Sequence, residues 1–291
     1  MFTFSSVKKY VSLVKFSHTI FSMPFALIGY FLGLKHEGAG FDMVLLMVII
    51  LAVLLARNTA MGFNRLVDRR FDALNPRTAS RELPARILSP MAVSVFIIIN
   101  ALGFVLTSWF INPLCFYLSP VALFVIMGYS LTKRFTPFSH MVLGLGLALA
   151  PIGAYLAVTG QFQWIPLMFS FAVLFWVSGF DIIYALQDEF FDKKNALFSI
   201  PAALGKDNAL MVSRIFHLFS SFFIFWAGWM MNPGYLYWTG TAVFCILLIY
   251  QHILVKPKDL SKVNLAFFTT NGIASLVFAA FVIADLLLAK N

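Results

Sequence analysis

Nine stretches of about twenty predominantly apolar residues divide this 291-residue chain, and they leave it few ways to fold. They begin near Phe16, Met43, Met91, Pro113, Phe138, Trp164, Leu210, Tyr235 and Leu265. A segment of that length and composition spans a bilayer as a helix, because lipid offers no partner for an unpaired backbone N–H or C=O. With 61% hydrophobic and only 11% charged residues, the composition excludes a soluble globular fold. The predicted fold class is all-α: a polytopic membrane helix bundle of nine transmembrane helices, forming one domain over residues 1–291. Pro24, Pro120 and Pro151 fall inside segments, which membrane helices tolerate better than soluble ones. Connections are short except for two polar stretches, Asn64 to Ser89 and Gln187 to Asn208.

The net charge of +9 would suit a nucleic-acid binder, but its distribution points to the lipid bilayer instead. With a cytoplasmic N-terminus and nine crossings, all of the 21 lysines and arginines except Lys35 and Lys290 fall on the cytoplasmic side. Retained basic loops set orientation in just this way. The expectation is an integral, multi-pass protein of a bacterial inner membrane, with no nucleic-acid partner. The first apolar run follows Lys8, Lys9 and Lys15, as in a signal peptide, but no small-residue cleavage site follows it, so it reads as a retained helix. Cys115 and Cys245 lie in or beside apolar segments without metal-ligand spacing and read as packing residues.

Against this apolar background two acidic stretches stand out. One runs Asn64-Arg-Leu-Val-Asp68-Arg-Arg-Phe-Asp72, the other Tyr184-Ala-Leu-Gln-Asp188-Glu-Phe-Phe-Asp192. Each places two carboxylates four residues apart at the end of an apolar segment, which on a helix stacks them on one face a turn apart. Carboxylates beside a bilayer need a cationic partner. Two facing pairs can hold Mg²⁺, a hard cation that shares oxygen ligands with substrate phosphates. The two copies lie four helices apart and suggest a weak internal repeat, a common device in membrane proteins. The same helical stripes continue inward: Arg57 is seven residues before Asn64, and Asp181 seven before Asp188. Either is a functional candidate by default or a structural ion pair.

Basic residues suited to anions gather near these acids. Tyr129 and Lys133, in Tyr129-Ser-Leu-Thr-Lys133-Arg134, are a turn apart at the cytoplasmic end of the fourth helix. A lysine that snorkels to the interface would look the same, but the nearby acids shift the reading toward phosphate contact. Arg77 and Arg81 are four apart in the following loop, and arginine grips phosphate with paired donors. Lys15 and His18 lie a turn apart and can bind a carboxylate, although topology and packing explain them equally well. Histidines elsewhere, at His140, His217 and His252, show no ligand spacing. Some of the 34 phenylalanines can line a channel for an apolar chain, while most face lipid or pack.

Taken in order, Asn64-x3-Asp68-x3-Asp72, Tyr129-x3-Lys133 and Asp188-x3-Asp192 resemble the motifs of the UbiA superfamily of intramembrane prenyltransferases. The loop Asn75-Pro-Arg-Thr-Ala-Ser-Arg81-Glu-Leu-Pro84 and the run Asp181-Ile-Ile-Tyr-Ala-Leu-Gln-Asp188 are similar to that family's loop and second motif. Within it the chain looks closest to 4-hydroxybenzoate polyprenyltransferases, with Lys15-Phe-Ser-His-Thr-Ile-Phe-Ser-Met-Pro-Phe-Ala-Leu-Ile-Gly29 favouring that group. One departure is Ala85-Arg86, where the family usually carries a glycine after Leu-Pro-x.

The resemblance implies Mg²⁺-dependent transfer of a polyprenyl group from polyprenyl diphosphate to a small aromatic acid such as 4-hydroxybenzoate, in quinone biosynthesis. It implies that Asn64, Asp68, Asp72, Asp188 and Asp192 hold the metal, and that Lys133, Tyr129, Arg77, Arg81 and Arg134 bind the diphosphate. Arg57, with Lys15 or His18, would hold the acceptor's carboxylate, and Asp181 would orient the acceptor or stabilise the allylic cation. A naphthoate acceptor, as in menaquinone biosynthesis, is the alternative within the family. From other classes, a secondary transporter shares the helices and intramembrane charges but does not need two metal-spaced acid pairs beside phosphate-type bases. A CDP-alcohol phosphotransferase would need an Asp-Gly-x2-Ala-Arg pattern that the chain lacks.

Overall fold

The computed structural model describes residues 4–15 and 21–288, and these are helical apart from turns and one isolated β-bridge between Lys256 and Asp259. In chain order the helices are α1 (Phe4–Leu13), α2 (Met23–Glu37), α3 (Met43–Leu74), α4 (Pro90–Ile111), α5 (Pro113–Thr132), α6 (Ser139–Thr159), α7 (Trp164–Ala185), α8 (Glu189–Lys194), α9 (Ile200–Met231), α10 (Tyr235–Leu254) and α11 (Asn271–Leu288). A 3₁₀ turn (Leu186–Asp188) joins α7 to α8, and a π turn (Leu265–Thr270) leads into α11. Among the described residues, eight segments are long and apolar enough to cross a membrane. The remaining predicted crossing, near Phe16, is represented by α2, whose 15 residues span about 22 Å. That is short of a hydrocarbon core of about 30 Å. Phe16–Ile20, which open the predicted segment, lie outside the described residues.

The helix starts follow from local chemistry. Asp42, Ser89, Asn112 and Ser199 each cap a helix by accepting a backbone N–H, and proline follows within two residues in α4, α5 and α9. α3 has 32 residues and so reaches about 48 Å, longer than the bilayer is thick. Its last turns therefore carry the first acidic motif out to the membrane surface.

α7 is the central helix, packed between α6 and α9. Of its apolar window 67% is buried, against 17% for α3 and α5. Its Trp176 lies against Phe25, Phe180 and Phe244, and the indole N–H donates to Asn271 at 3.0 Å. Two glycines let α6 approach its neighbours. A Cβ at Gly29 of α2 would lie 2.0 Å from the Pro151 carbonyl oxygen, and one at Gly144 would lie 2.4 Å from that of Leu174 in α7.

Two expectations change. The polar stretch from Gln187 to Asn208 is not an open connection: α8 occupies part of it, and α9 begins at Ile200, ten residues before the predicted start at Leu210. Gly205, at φ 76°, kinks α9 inside that polar turn. Second, Asp181, Asp188 and Asp192 do not share one continuous helical face, because the 3₁₀ turn resets the rotation between α7 and α8.

Candidate active site

The ends of α3, α5 and α7, the start of α6 and the loop after α3 converge at one end of the bundle. Each of the four motif carboxylates there meets a basic side chain. On α3, Asp72 accepts from Arg81 Nη1 at 2.6 Å, and Asp68 accepts from Asn64 at 3.0 Å and meets Arg134 at 3.4 Å. Asp188 receives Arg77 in a two-pronged pair, Nε to Oδ1 at 3.0 Å and Nη2 to Oδ2 at 2.5 Å, with Asn75 Nδ2 at 3.0 Å on Oδ1. Asp192 is fully buried between Lys133 Nζ at 2.8 Å and the Ser199 hydroxyl at 2.9 Å.

The loop that carries Arg77 and Arg81 is folded by its own side chains. Asn75 Oδ1 accepts the Arg77 N–H at 3.0 Å, and the Thr78 hydroxyl donates to the Asp72 carbonyl at 3.0 Å. This turns the loop back over the end of α3, so both arginines reach acids on different helices. Arg77 also donates to the Tyr184 hydroxyl at 2.9 Å and lies 5.1 Å from that ring's centroid. Burial pulls the Arg77 guanidinium down, but its hydrogen bonds to Asp188 and that carboxylate's charge outweigh burial and hold it above the usual arginine range.

Beneath this charged mouth lies a cavity of about 850 Å³. Asn64, Asp68, Arg81, Tyr129, Lys133 and Asp188 line its polar end. Apolar side chains line the rest, down to Ile111, Cys115, Ala157 and Phe162 at the far ends of α4, α5 and α6. Among the described residues, Phe21, Phe104, Phe162, Phe180, Phe267 and Phe268 line this cavity.

The inward residues fare differently. Asp181 lines the cavity and pairs with His140 at 2.7 Å. Arg57 also lines it, but among the described residues meets no carboxylate: its Nη2 donates to the Lys15 carbonyl at 3.1 Å and approaches that of Val14 at 3.5 Å. Its Nε is buried without a hydrogen-bond partner among the described residues. Lys15 lines the cavity too, at φ 46°, so the helical register proposed between it and His18 is not kept at Lys15. His18 lies outside the described residues. Asp72 and Asp192 are drawn away from the cavity into their ion pairs, while Asn64, Asp68 and Asp188 face it.

The matching family model is that of the UbiA prenyltransferases, and it covers residues 22–273. The chain belongs to this family. It is a prenyltransferase, and an integral multi-pass membrane protein. It is 30% identical over 241 residues to a 4-hydroxybenzoate octaprenyltransferase of Tolumonas auensis, covering 82% of this chain and 84% of that one. A 4-hydroxybenzoate octaprenyltransferase of Methylobacillus flagellatus is 28% identical over 250 residues, covering 84% and 82%. Among solved structures, a UbiA homologue from Aeropyrum pernix superposes with a TM-score of 0.79 at 26% identity, covering 93% of this chain and 97% of that one. A UbiA homologue from Archaeoglobus fulgidus bound to GPP and Mg²⁺ shares the fold, with a TM-score of 0.73 at 18% identity over 96% of this chain and 100% of that one.

Within this family member, three site residues escaped the spacing patterns. Asn75 and Ser199 carry local signals that were readable, an Asn-Pro turn and a Ser-x-Pro helix start. His140 carried none, since only the packing of α6 on α7 brings it to Asp181. The departure at Ala85-Arg86 also has a structural counterpart: Arg86 adopts φ 56°, the left-handed conformation that glycine takes without steric penalty.

Proposed function

We propose that this enzyme transfers the polyprenyl group of a polyprenyl diphosphate to the ring of a small aromatic acid of the 4-hydroxybenzoate type, for quinone biosynthesis. In this reading it works at the cytoplasmic face of a bacterial inner membrane, with the whole chain acting as one domain. The observation that carries it is the joining of a charged mouth to a long apolar cavity in one continuous space. A prenyl diphosphate has the same two halves. An aqueous solute, the cargo of a transporter, has no use for the apolar part.

The donor set suits Mg²⁺. It consists of hard oxygens, and Asp72 keeps a buried Oδ2 without a hydrogen-bond partner among the described residues. Among the described residues no three His, Cys, Asp or Glu side chains cluster as a metal cage. Magnesium characteristically completes its shell with substrate phosphate and water, so a partial protein set fits it. Asn64, Asp68, Asp72, Asp188 and Asp192 would hold it. Bound there, the ion would neutralise charge on the diphosphate as the allylic C–O bond breaks.

The chain's own cations supply the rest. Arg77, Arg81, Lys133 and Arg134 surround the mouth, each already within reach of an acid, and Tyr129 adds a phenol beside Lys133 on the cavity wall. They stabilise the charge that collects on the departing diphosphate, the largest single contribution in reactions of this kind. The allylic carbon is then attacked by the π electrons of the acceptor ring. Arg57 holds the acceptor's carboxylate: it lies deeper than the acids, lines the cavity and meets no carboxylate among the described residues. Lys15 adds a second positive charge beside it, with His18 the further candidate.

Membranes containing the protein, supplied with Mg²⁺, a labelled polyprenyl diphosphate and a panel of hydroxybenzoates and hydroxynaphthoates, test this reading. A product whose mass is that of hydroxybenzoate plus the prenyl group is expected. Prenylation of the naphthoates alone would replace the acceptor, and hydrolysis without any prenylated product would overturn the reading.

A further inference from the structure

His140 opens α6 and is 3% exposed, yet it lines the cavity. Its two ring nitrogens are committed in different ways. Nδ1 lies 2.7 Å from Asp181 Oδ2, and Nε2 accepts the backbone N–H of Ile200 at 3.3 Å. A nitrogen that accepts carries no proton, so the neutral ring has its proton on Nδ1 and donates it to Asp181. A doubly protonated ring would aim a second N–H at that of Ile200, so the site is built around the neutral imidazole.

Ile200 is the first residue of α9, and its N–H is one of the donors a helix start leaves unpaired. The preceding Ser199 caps the helix and donates to Asp192. One dipeptide thus fastens the metal-side acid and the histidine together. From the other side, the Ser178 hydroxyl of α7 donates to the His140 carbonyl at 3.1 Å. His140 is therefore held by α7 and α9 at once.

Asp181 differs in kind from the other acids of the site. Asp68, Asp72, Asp188 and Asp192 each meet an arginine or lysine, whereas Asp181 pairs with a neutral ring. Its side chain keeps 23% of its surface exposed while lining the cavity, about two helical turns inward of Asp188. A carboxylate that pairs with no lysine or arginine among the described residues, set beside the place where an acceptor ring would lie, is placed to act as a base.

We propose that Asp181 takes the proton lost from the acceptor ring, and that His140 is the positioning residue that holds it for that step. This deepens the prenyl-transfer reading above and rests on it. When the ring has bonded to the allylic carbon and diphosphate has left with the C–O electron pair, the ring carbon still carries its hydrogen. That C–H bond breaks, its electron pair returns to the ring, and the proton passes to Asp181 Oδ1. The departed diphosphate or water at the mouth then takes the proton from Asp181. Throughout, His140 Nδ1–H stays on Oδ2, leaving Oδ1 turned to the ring.

The test compares turnover of ring-protiated and ring-deuterated acceptor by the full-length enzyme in membranes. In the unaltered protein the two acceptors should react equally fast, as when C–O ionisation limits the rate. In His140→Ala, kcat is expected to fall roughly 10–100-fold, the scale seen when the partner that orients a metal ligand is removed. KM for both substrates should change little, and the deuterated acceptor should react more slowly. His140→Asn, whose amide can replace the Nδ1 donor, should recover part of the rate. If His140→Ala does not accumulate, His140→Phe, which keeps the packing and lacks the donor, carries the same comparison. A variant that inserts normally and keeps its kcat, or loses rate equally with both acceptors, overturns the proposal. Absence of any prenylated product from the unaltered enzyme would instead sink the reading on which it rests.

Discussion

Asp68 and Asp72 stand on an unbroken helix, whereas Asp188 and Asp192 straddle a joint where α7 gives way to a 3₁₀ turn and then α8. On α3 the unbroken rotation leaves Asp68 facing the cavity with 28% of its side chain exposed, held among the described residues by Asn64 and a long contact to Arg134. At the joint the chain can fold in upon itself. Asp188 is clasped by Arg77 and Asn75, and Asp192 disappears beneath Lys133 and Ser199. Each motif withdraws one acid, Asp72 under Arg81 and Asp192 under Lys133, but the cavity-facing acid of the first is open while that of the second, Asp188, is clasped by a phosphate-binding arginine. Identical spacing yields different work because the backbone under it differs.

That contrast can be broken by substitution. The largest effect is expected on chemistry at the acids that face the cavity. Asp68→Asn and Asp188→Asn should each lower kcat for prenyl transfer by at least about 10²–10³-fold, the scale seen when one preorganised electrostatic group is removed. Inserted, folded variants with full activity would show that the cavity-facing carboxylates are not used.

Next comes stability. Asp192→Asn leaves the Lys133 ammonium without its charge partner at a fully buried site and should cost about 2 kcal/mol. This is less than a wholly buried pair would lose, because Lys133 is 32% exposed. Asp68→Asn should cost under about 0.5 kcal/mol, since its contact to Arg134 is long and that arginine is 38% exposed. Unfolding of the two variants in detergent would measure the difference, and equal losses would erase the distinction between the motifs.

Arg57→Ala should raise the acceptor's KM about tenfold, the loss of roughly one charge-assisted hydrogen bond, while donor KM stays unchanged. A defect confined to the donor would move Arg57 out of the acceptor subsite. The smallest effect belongs to the loop. Arg86→Gly should be neutral or stabilising by up to about 1 kcal/mol, since φ 56° suits glycine, although part of that gain is lost to the freer unfolded chain.

Much of this was legible in the chain. Apolar length alone marked the bundle, and i, i+4 spacing placed Asp68 and Asp72 on one face because α3 is regular there. The same rule failed from Asp181 to Asp192, since nothing in Tyr184-Ala-Leu-Gln-Asp188 announces a 3₁₀ turn by composition. Arg57 was expected to meet an acid or an anion, and the structure puts it on the carbonyls of Val14 and Lys15, a contact across 42 residues that no periodicity encodes. His140 was passed over for the same reason. Local rules reach a turn or two along one helix, and the active site is assembled between helices.

The central claim is that the charged mouth and the apolar cavity hold the two halves of one donor molecule. Gly153 tests it directly. It lines the cavity on α6, about 20 Å along the helix from Ser139 at the mouth, and a Cβ there would meet nothing within 4 Å. A Gly153→Trp side chain would enter the cavity and leave every charged residue in place. The account predicts that this variant still transfers from dimethylallyl diphosphate but loses transfer from a long polyprenyl diphosphate. Undiminished transfer from the long donor, by a protein shown to be inserted, would contradict it.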